Sequence, residues 1–458
     1  MNRDLSTAWR LCWLPALTAV LILAAQAPAR AQAGRIGQAG QINTGTATGN
    51  RIMRLAVAHF PVQSSDRGLT RLTGEFNEVL WNDLDNSGLF QMISRSLYPL
   101  SPPAQPGAVV YSSWSNPPVS AQYLVFGNTS IAAGNLVVAS FLYDVKNPSS
   151  AQIIGKRFVG TLNEISTRAI AHTFANEIIQ ALGGGVRGIN LTRIAFISSR
   201  TGHEEVWVAD YDGFNQHPIT SYRSFCITPR WSPDDKELAF TNYASGDSEI
   251  SIYSFLTHRL LYFPRYHGLN TTPAWSPDGK RLAFCSSMGG TQEIYTCDAG
   301  GSHLERLTFS PGHNVSNIAP VWNPKTGREI AFVSDRSGTP QIYMMNADGT
   351  NLRRLLTKGG DADAPAWSPN GLYIAFSWAV VETGNFDIYL MNIGSGQITQ
   401  LTHNARSNDR PWWAPDGNHI VFQSDRSGKK EIWIMLADGT HQKRITTQGE
   451  NWDPNWSN

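Results

Sequence analysis

The side chains best suited to chemistry lie in six short polar segments, each followed by a strand that carries a proline and a tryptophan. The segments read SYRSFCITP, FPRYHGLNTTP, SPGHNVSNIAP, KGGDADAP, HNARSNDRP and TQGENWDP. Imidazoles and carboxylates of this kind serve in acid–base catalysis and metal binding. No histidine is paired with a nucleophile at a telling spacing, and neither G-x-S-x-G nor HExxH occurs. We therefore predict no catalytic residue, cofactor or metal site, since Asp361 and Asp363 alone are weak evidence for a cation.

One glycine-rich segment has the form of a nucleotide-binding motif. Residues 183–188 (GGGVRG) match G-x-G-x-x-G. The match follows a predicted helix, opens no helix and belongs to no βαβ unit, which the dinucleotide motif requires. We interpret it as part of a linker.

The composition is that of a two-domain globular chain and disfavours nucleic acid as a partner. The 458-residue chain is 41% hydrophobic and 16% charged, with a formal net charge of +1. This length suffices for two domains with hydrophobic cores. Non-specific nucleic-acid binding is disfavoured because no basic run is present.

The N-terminal residues have the form of a secretory signal. Two arginines precede an apolar stretch at residues 11–25, and a small-x-small sequence ends at Ala31. This pattern predicts that residues 1–31 are removed before Gln32 and that the protein is exported without inserting into a membrane. An uncleaved N-terminal anchor is the alternative.

Three cysteines follow this signal, at positions 226, 285 and 297. An odd and low number does not form a disulfide framework. Cys285 and Cys297 lie on two arms of one predicted hairpin, about three residues out of register. Buried free thiols are therefore favoured over a bridge.

The rest of the chain divides into four parts. Residues 32–50 are rich in Gly, Gln, Ala and Thr, and this composition predicts a flexible arm. Residues 51–182 combine short apolar strands, an antiparallel meander and two amphipathic helices, which predicts a small α/β domain of the α+β class. Residues 183–190 are the linker. Residues 191–458 are dominated by a repeat.

The repeat predicts a six-bladed β-propeller. Strings such as TPAWSPDGKRLAFCSS return at intervals of about 45 residues, the period of four-stranded blades. Residues 193–220 supply three strands without a preceding tryptophan strand, and the C-terminal NWSN supplies the missing one, so the two ends should form one blade. The repeated tryptophans are Trp231, Trp275, Trp322, Trp367, Trp413 and Trp456.

Within each repeat, the W-S-P-D-G string is best explained by packing and turn formation. The tryptophan should fill the space between blades, and the glycine should supply a positive φ. The inter-blade segments should ring one mouth of the central channel, an arrangement typical of binding sites on a rigid scaffold. Repeated Asp/Arg pairs in SDRSG strings favour local structural salt bridges.

This architecture resembles the TolB family, the periplasmic component of the Tol–Pal system of Gram-negative bacteria. The resemblance rests on the signal peptide, the small domain opening with RLAVAHF, and blades bearing WSPDG, IAF, SDRSG, IYMMNADGT and RLT. It implies a non-catalytic adaptor that maintains outer-membrane integrity, aids envelope constriction in division and takes part in colicin uptake. The implied partners are the lipoprotein Pal, the inner-membrane component TolA and other outer-membrane proteins.

The resemblance also assigns sites. Pal would dock over the channel mouth, with FPRYHGLNTTP as a contact loop, and TolA would bind the N-terminal arm through Arg35, Ile36 and Ile42. The candidate mouth residues are Arg265, His267, Asn270, Thr272, His313, Ser316, Asn317, Ile318, Asp361, Asp363, Arg406, Asn408 and Asp409.

Two other functions remain open from the residues alone. One is a propeller hydrolase or lyase that uses histidines and aspartates of the channel mouth. The other is a propeller that binds a sugar or peptide there. Turnover that is abolished by changing His267 or His313 would favour the enzyme.

Overall fold

A computed structural model describes residues 53–310, 314–356, 359–379, 384–403 and 405–458. The predicted signal cleavage site (Ala31 and Gln32), the arm residues Arg35, Ile36 and Ile42, and His313 lie outside the described residues.

The N-terminal domain is an α+β structure with one five-stranded sheet in the order β2-β1-β3-β4-β5. β1 pairs in parallel with β2 and β3, whereas β3, β4 and β5 form the predicted antiparallel meander. Its elements are β1 (Met53–Val57), α1 (Arg67–Asn86), β2 (Phe90–Met92), α2 (Tyr111–Ser115), β3 (Tyr123–Ala132), β4 (Asn135–Asp144), β5 (Gln152–Thr161) and α3 (Glu164–Leu182).

The two long helices begin at side-chain caps and bury one face against this sheet. Asp66 accepts a hydrogen bond from the Leu69 amide, and Asn163 accepts one from the Ser166 amide. The apolar residues predicted to share a face of α1 are all buried, and they pack with residues of α3 and the sheet in one hydrophobic core. The helical periodicity in the sequence was therefore sufficient to place this face.

The C-terminal part is a six-bladed propeller, as predicted. Blade I has the strand order β29-β6-β7-β8, and the other blades each use four consecutive strands, with the first strand of each innermost. Blades I to III comprise β6 (Arg193–Ser198), β7 (Glu205–Asp210), β8 (His217–Pro218); β9 (Cys226–Trp231), β10 (Glu237–Asn242), β11 (Glu249–Ser254), β12 (Arg259–Leu261); and β13 (Asn270–Trp275), β14 (Arg281–Ser286), β15 (Glu293–Asp298), β16 (Glu305–Arg306).

Blades IV to VI repeat this arrangement, and the last strand of the chain completes blade I. They comprise β17 (Asn317–Trp322), β18 (Glu329–Ser334), β19 (Gln341–Asn346), β20 (Arg353–Arg354); β21 (Asp361–Trp367), β22 (Tyr373–Ala379), β23 (Phe386–Asn392), β24 (Ile398–Gln400); and β25 (Asn408–Trp413), β26 (His419–Ser424), β27 (Glu431–Leu436), β28 (Lys443–Arg444), followed by β29 (Asn451–Trp456). β29 pairs antiparallel with β6, which confirms the predicted closure.

The repeated tryptophans and W-S-P-D-G turns have the predicted structural roles. All six tryptophans are buried, and Trp275 packs with Ala239 and Ile252 of the preceding blade and donates to the Arg230 carbonyl at 3.1 Å. In the turn that follows, Gly279 has φ 68° and Asp278 accepts a hydrogen bond from the Ser276 hydroxyl. The Asp of the repeat thus stabilises a turn.

The cysteines are also as predicted. Cys226, Cys285 and Cys297 are free and buried. Cys285 faces Ile294 across the hairpin and Cys297 faces Leu282, so the two thiols are out of register. Burial raises the pKa of Cys285 to about 12, which keeps this thiol protonated and inert.

Candidate protein-binding site

The inter-blade loops and the loops between second and third strands lie at the same end of the propeller, which we call the inter-blade face. In blade III the Ser287 amide donates to the Leu269 carbonyl, and in blade VI the Asp425 amide donates to the Ser407 carbonyl. Each bond joins the inter-blade loop that enters a blade to the second–third loop of the same blade. The opposite end, with the first–second and third–fourth turns, is called the turn face.

The predicted mouth residues fall into three groups by exposure. Arg265, His267, Asp361 and Arg406 are exposed on the inter-blade face, and the Arg265 side chain is 73% exposed. The partly exposed members are Ser316, Ile318, Asp363 and Asp409, and the buried members are Asn270, Thr272, Asn317 and Asn408.

Two of the buried asparagines have all their amide groups engaged within the chain. Asn408 Nδ2 donates to Asp387 Oδ1 at 2.9 Å, and Asn408 Oδ1 accepts from Arg426 Nη2 at 2.5 Å. We call this set of carboxylate, asparagine and arginine a junction triad, because the carboxylate belongs to the preceding blade. Asn408 therefore stabilises the contact between blades V and VI, and its contact with a partner stays a prediction.

Asn317 occupies the equivalent place between blades III and IV. Its Nδ2 donates to Glu293 Oε2 at 2.9 Å, and its Oδ1 accepts from Arg336 Nη2 at 2.6 Å. Because this side chain is also fully buried, we assign it the same structural role, and its contact with a partner stays a prediction.

The same triads correct the interpretation of the SDRSG strings. Arg336 and Arg426 donate to asparagine amide oxygens and to the hydroxyls of Ser334 and Ser424, instead of forming salt bridges with the adjacent aspartates. The aspartates accept from backbone amides, as Asp425 does from Ser407. The strings are structural, as predicted, but their arginines act through hydrogen bonds within a blade that hold the asparagine in place.

The junction between blades II and III departs from this pattern, and it carries the loop FPRYHGLN. Asn270 and Glu249 occupy the asparagine and carboxylate positions, but Met288 stands where blades I, IV and VI have the arginine. Glu249 instead pairs with the exposed Arg265 at 3.1 Å. Asn270 Nδ2 donates to the carbonyls of Tyr266 and Gly268 and so holds the loop in place.

Thr272 serves the interior of the propeller. It is 5% exposed, has φ 54° at a bulge of β13, and its hydroxyl accepts from the Ala319 amide of blade IV at 3.3 Å. Thr272 therefore has a role in blade packing, and its direct contact with a partner stays a prediction.

A charged cluster joins the innermost strands of four blades. Arg410 Nη1 lies 3.4 Å and Arg230 Nη1 3.8 Å from Asp453 Oδ1, and the Arg410 amide donates to Asp409 Oδ1. Asp363 belongs to the same cluster, and burial raises its pKa despite the opposing charge of Arg410. The structure thus brings Asp363 and Asp409 together but leaves Asp361 apart from them at the exposed end of β21.

This cluster contains charged residues that the sequence interpretation missed. Arg230, Arg410 and Asp453 each lie within three residues before a repeated tryptophan, and that position is the signal that reveals them. Among the described residues, no group of three or more His, Cys, Asp or Glu is arranged to hold a metal ion. None of the described helices is long and apolar enough to cross a membrane.

The turn face contacts the N-terminal domain through two buried histidines, which were also missed. His172 of α3 bonds to Asp83 of α1 at 2.7 Å, and Asp83 accepts from the hydroxyl of Tyr211 in blade I. His419 of blade VI has its two ring nitrogens 2.6 Å from Asp416 Oδ2 and 2.7 Å from the Asn86 carbonyl oxygen. The inter-blade face is therefore opposite the face that the N-terminal domain contacts.

Burial alone favours the neutral form of both histidines, but their partners outweigh it. The hydrogen bond and charge of Asp83 raise the pKa of His172, and Asp416 and the Asn86 carbonyl raise that of His419. Of the two, His419 bonds across the interface, so protonation of its ring lets it donate both to Asp416 and to the Asn86 carbonyl of the N-terminal domain.

A cavity of about 320 Å³ lies at the turn face, where the innermost strands of the blades end. Its walls are the edges of the repeated tryptophans and the prolines that follow them, with Arg230 and Asn455 as polar members. The repeated W-x-P strings thus line the channel end as well as packing between blades.

Comparisons with known proteins agree with both parts of this fold. The family model described as the TolB beta propeller domain matches residues 181–376 and 357–458, and the model described as the TolB amino-terminal domain matches residues 45–151. A crystal structure of TolB from Acinetobacter baumannii is 26% identical, with a TM-score of 0.74, and the match covers 89% of this chain and 97% of that one.

Curated relatives are similar over shorter stretches. The Tol-Pal system protein TolB of Bordetella pertussis is 35% identical over 269 residues, 57% of this chain and 58% of its own length. The protein of the same name from Desulfosudis oleivorans is 32% identical over 239 residues, 51% and 52% of the two chains. The chain thus spans about half the length of the curated relatives it matches.

Proposed function

The chain belongs to the TolB family, and we propose that it is a non-catalytic, periplasmic adaptor of the Tol–Pal system. The names of its relatives, which are Tol-Pal system proteins, support this assignment. The observation that carries it is the junction between blades II and III, where the repeated network is interrupted and the exposed Arg265 and His267 stand on the inter-blade face.

The partner proposed for this face is the lipoprotein Pal. The contact residues that the exposures favour are Arg265, His267, Asp361 and Arg406, with Ser316, Ile318, Asp363 and Asp409 around them. Variable polar loops on a rigid scaffold can be complementary to a partner without altering the fold. His313, outside the described residues, belongs to the same loop as Ser316 and stays in the proposal.

The second proposed partner is TolA, bound by residues 32–50 with Arg35, Ile36 and Ile42. This arm would follow a cleaved signal, so the mature chain would begin at Gln32 in the periplasm. An arm that docks on the body in one state loses entropy, and a ligand that prefers this state shifts the population toward it. Such coupling would let one adaptor link outer-membrane integrity and envelope constriction to the inner membrane. Colicins during their uptake, and outer-membrane proteins besides Pal, would use the same surfaces.

Calorimetric titration of the mature protein with the periplasmic domain of its own organism's Pal tests the assignment. We expect a dissociation constant in the micromolar range or tighter, which corresponds to a binding free energy of about −8 kcal/mol or more favourable. Deleting residues 32–50 should change the affinity for Pal or TolA. Absence of binding to both proteins would refute the adaptor function.

A further inference from the structure

The three complete junction triads share one geometry. In each, the asparagine faces a serine across the first and second strands, and the arginine stands two residues after that serine. The arginine donates from Nε to the serine hydroxyl and from Nη2 to the asparagine Oδ1. The triads are Glu293, Asn317 and Arg336; Asp387, Asn408 and Arg426; and Glu431, Asn451 and Arg200.

The junction between blades II and III has the same acceptors without the arginine. Asn270 faces Ser286, and the residue two positions later is Met288. Asn270 is 4% exposed, and its Oδ1 has no hydrogen-bond partner among the described residues. A buried acceptor left in this condition is destabilising, and a donor supplied from elsewhere would satisfy it.

The surroundings of this oxygen fit a cationic donor. Glu249 supplies a carboxylate of the same junction, and its described cationic partner is Arg265, a largely exposed side chain that can move away. Because three arginines of the chain occupy equivalent positions, a planar guanidinium has the shape that this arrangement of acceptors accommodates.

We propose that the protein partner at the inter-blade face inserts an arginine side chain at this junction, donating to Asn270 Oδ1 and completing the triad with Glu249. The inference rests on the proposed function, because it specifies the chemistry by which the partner is recognised. The arginine enters through the loop 263–269, whose His267 and Gly268 are exposed. Specificity follows, since a partner without this arginine leaves the acceptor unpaired.

The test is to supply the arginine from the chain itself. Met288→Arg in the mature protein should occupy Asn270 Oδ1, raise the melting temperature and weaken binding of the Pal periplasmic domain at least tenfold. Met288→Gln, neutral and of similar length, is the matched control and should bind within about twofold of the wild type.

A second variant keeps the proposal testable if Met288→Arg fails to fold. Glu249→Gln keeps the size of the side chain but removes the carboxylate that would pair with the incoming guanidinium, so binding should weaken several-fold and depend less steeply on salt. Wild-type binding that neither Met288→Arg nor Glu249→Gln weakens overturns the arginine inference and leaves the adaptor function standing. A wild-type protein that does not bind Pal overturns both.

Discussion

Arg200 Nη2 donates to Asn451 Oδ1 at 2.9 Å, although 251 positions separate the two residues. Asn451 in turn donates to Glu431 of blade VI at 2.8 Å. The junction that closes the ring therefore uses the same bonds as two internal junctions, and the non-covalent closure resembles the other contacts between blades.

Asn451→Ala tests this closing triad. The change leaves the buried carboxylate of Glu431 and the guanidinium of Arg200 without their shared partner, so the free energy of unfolding should fall by about 1–3 kcal/mol. Denaturant titration measures it, with the exposed Asn385→Ala as the control. Equal losses in both variants would argue against a role in closure.

Trp367→Ala tests the packing between blades. Trp367 is buried and shares a core with Val321 and Val333 of blade IV and Phe376 of its own blade. Removing the indole should cost about 3–5 kcal/mol in the free energy of unfolding, and Trp367→Phe should cost less. A loss below about 1 kcal/mol in the alanine variant would contradict the packing role.

His419→Gln tests the charged histidine between the domains. Because its folded-state pKa is raised, the stabilisation is fully present below the unfolded value of about 6.5 and is lost as pH rises through the folded pKa. The difference in unfolding free energy between the wild type and the variant, measured from pH 5.5 to 9, should therefore shrink with rising pH. A difference that grows with pH would show that the neutral imidazole is the stabilising form.

Arg265→Ala separates folding from binding at the inter-blade face. Arg265 is largely exposed in its pair with Glu249, so its loss should change the free energy of unfolding by no more than about 0.5 kcal/mol. Binding of the Pal domain should weaken by about tenfold, about 1.4 kcal/mol. Calorimetry on the same preparations measures both quantities, and a large loss of stability would assign Arg265 a structural role.

The propeller was predictable because its evidence is local and repeated. Each W-S-P-D-G string specifies a buried indole, a turn and the start of the next strand, and the incomplete repeats at the two ends specify closure. The helical face of α1 was predictable for the same reason, since its spacing needs no knowledge of distant residues.

The triads and the domain interface were not predictable in this way. Asn408 and Asn317 are polar residues in variable loops, and such residues suggest a binding surface until the distant arginine and carboxylate that engage them are known. His419 and Asn86 likewise meet only after both domains have folded. Exposure of Arg265 and His267 favours the loop 263–269 as the candidate site, which stays a prediction.

The most direct test of the account compares the two faces of the propeller. The dissociation constant for the Pal periplasmic domain should be measured for Arg265→Ala combined with Arg406→Ala, and for Lys280→Ala combined with Lys325→Ala, which removes two exposed cations from the turn face. We predict at least tenfold weaker binding for the first pair and wild-type binding for the second. The reverse order would contradict the assignment of the inter-blade face as the binding site.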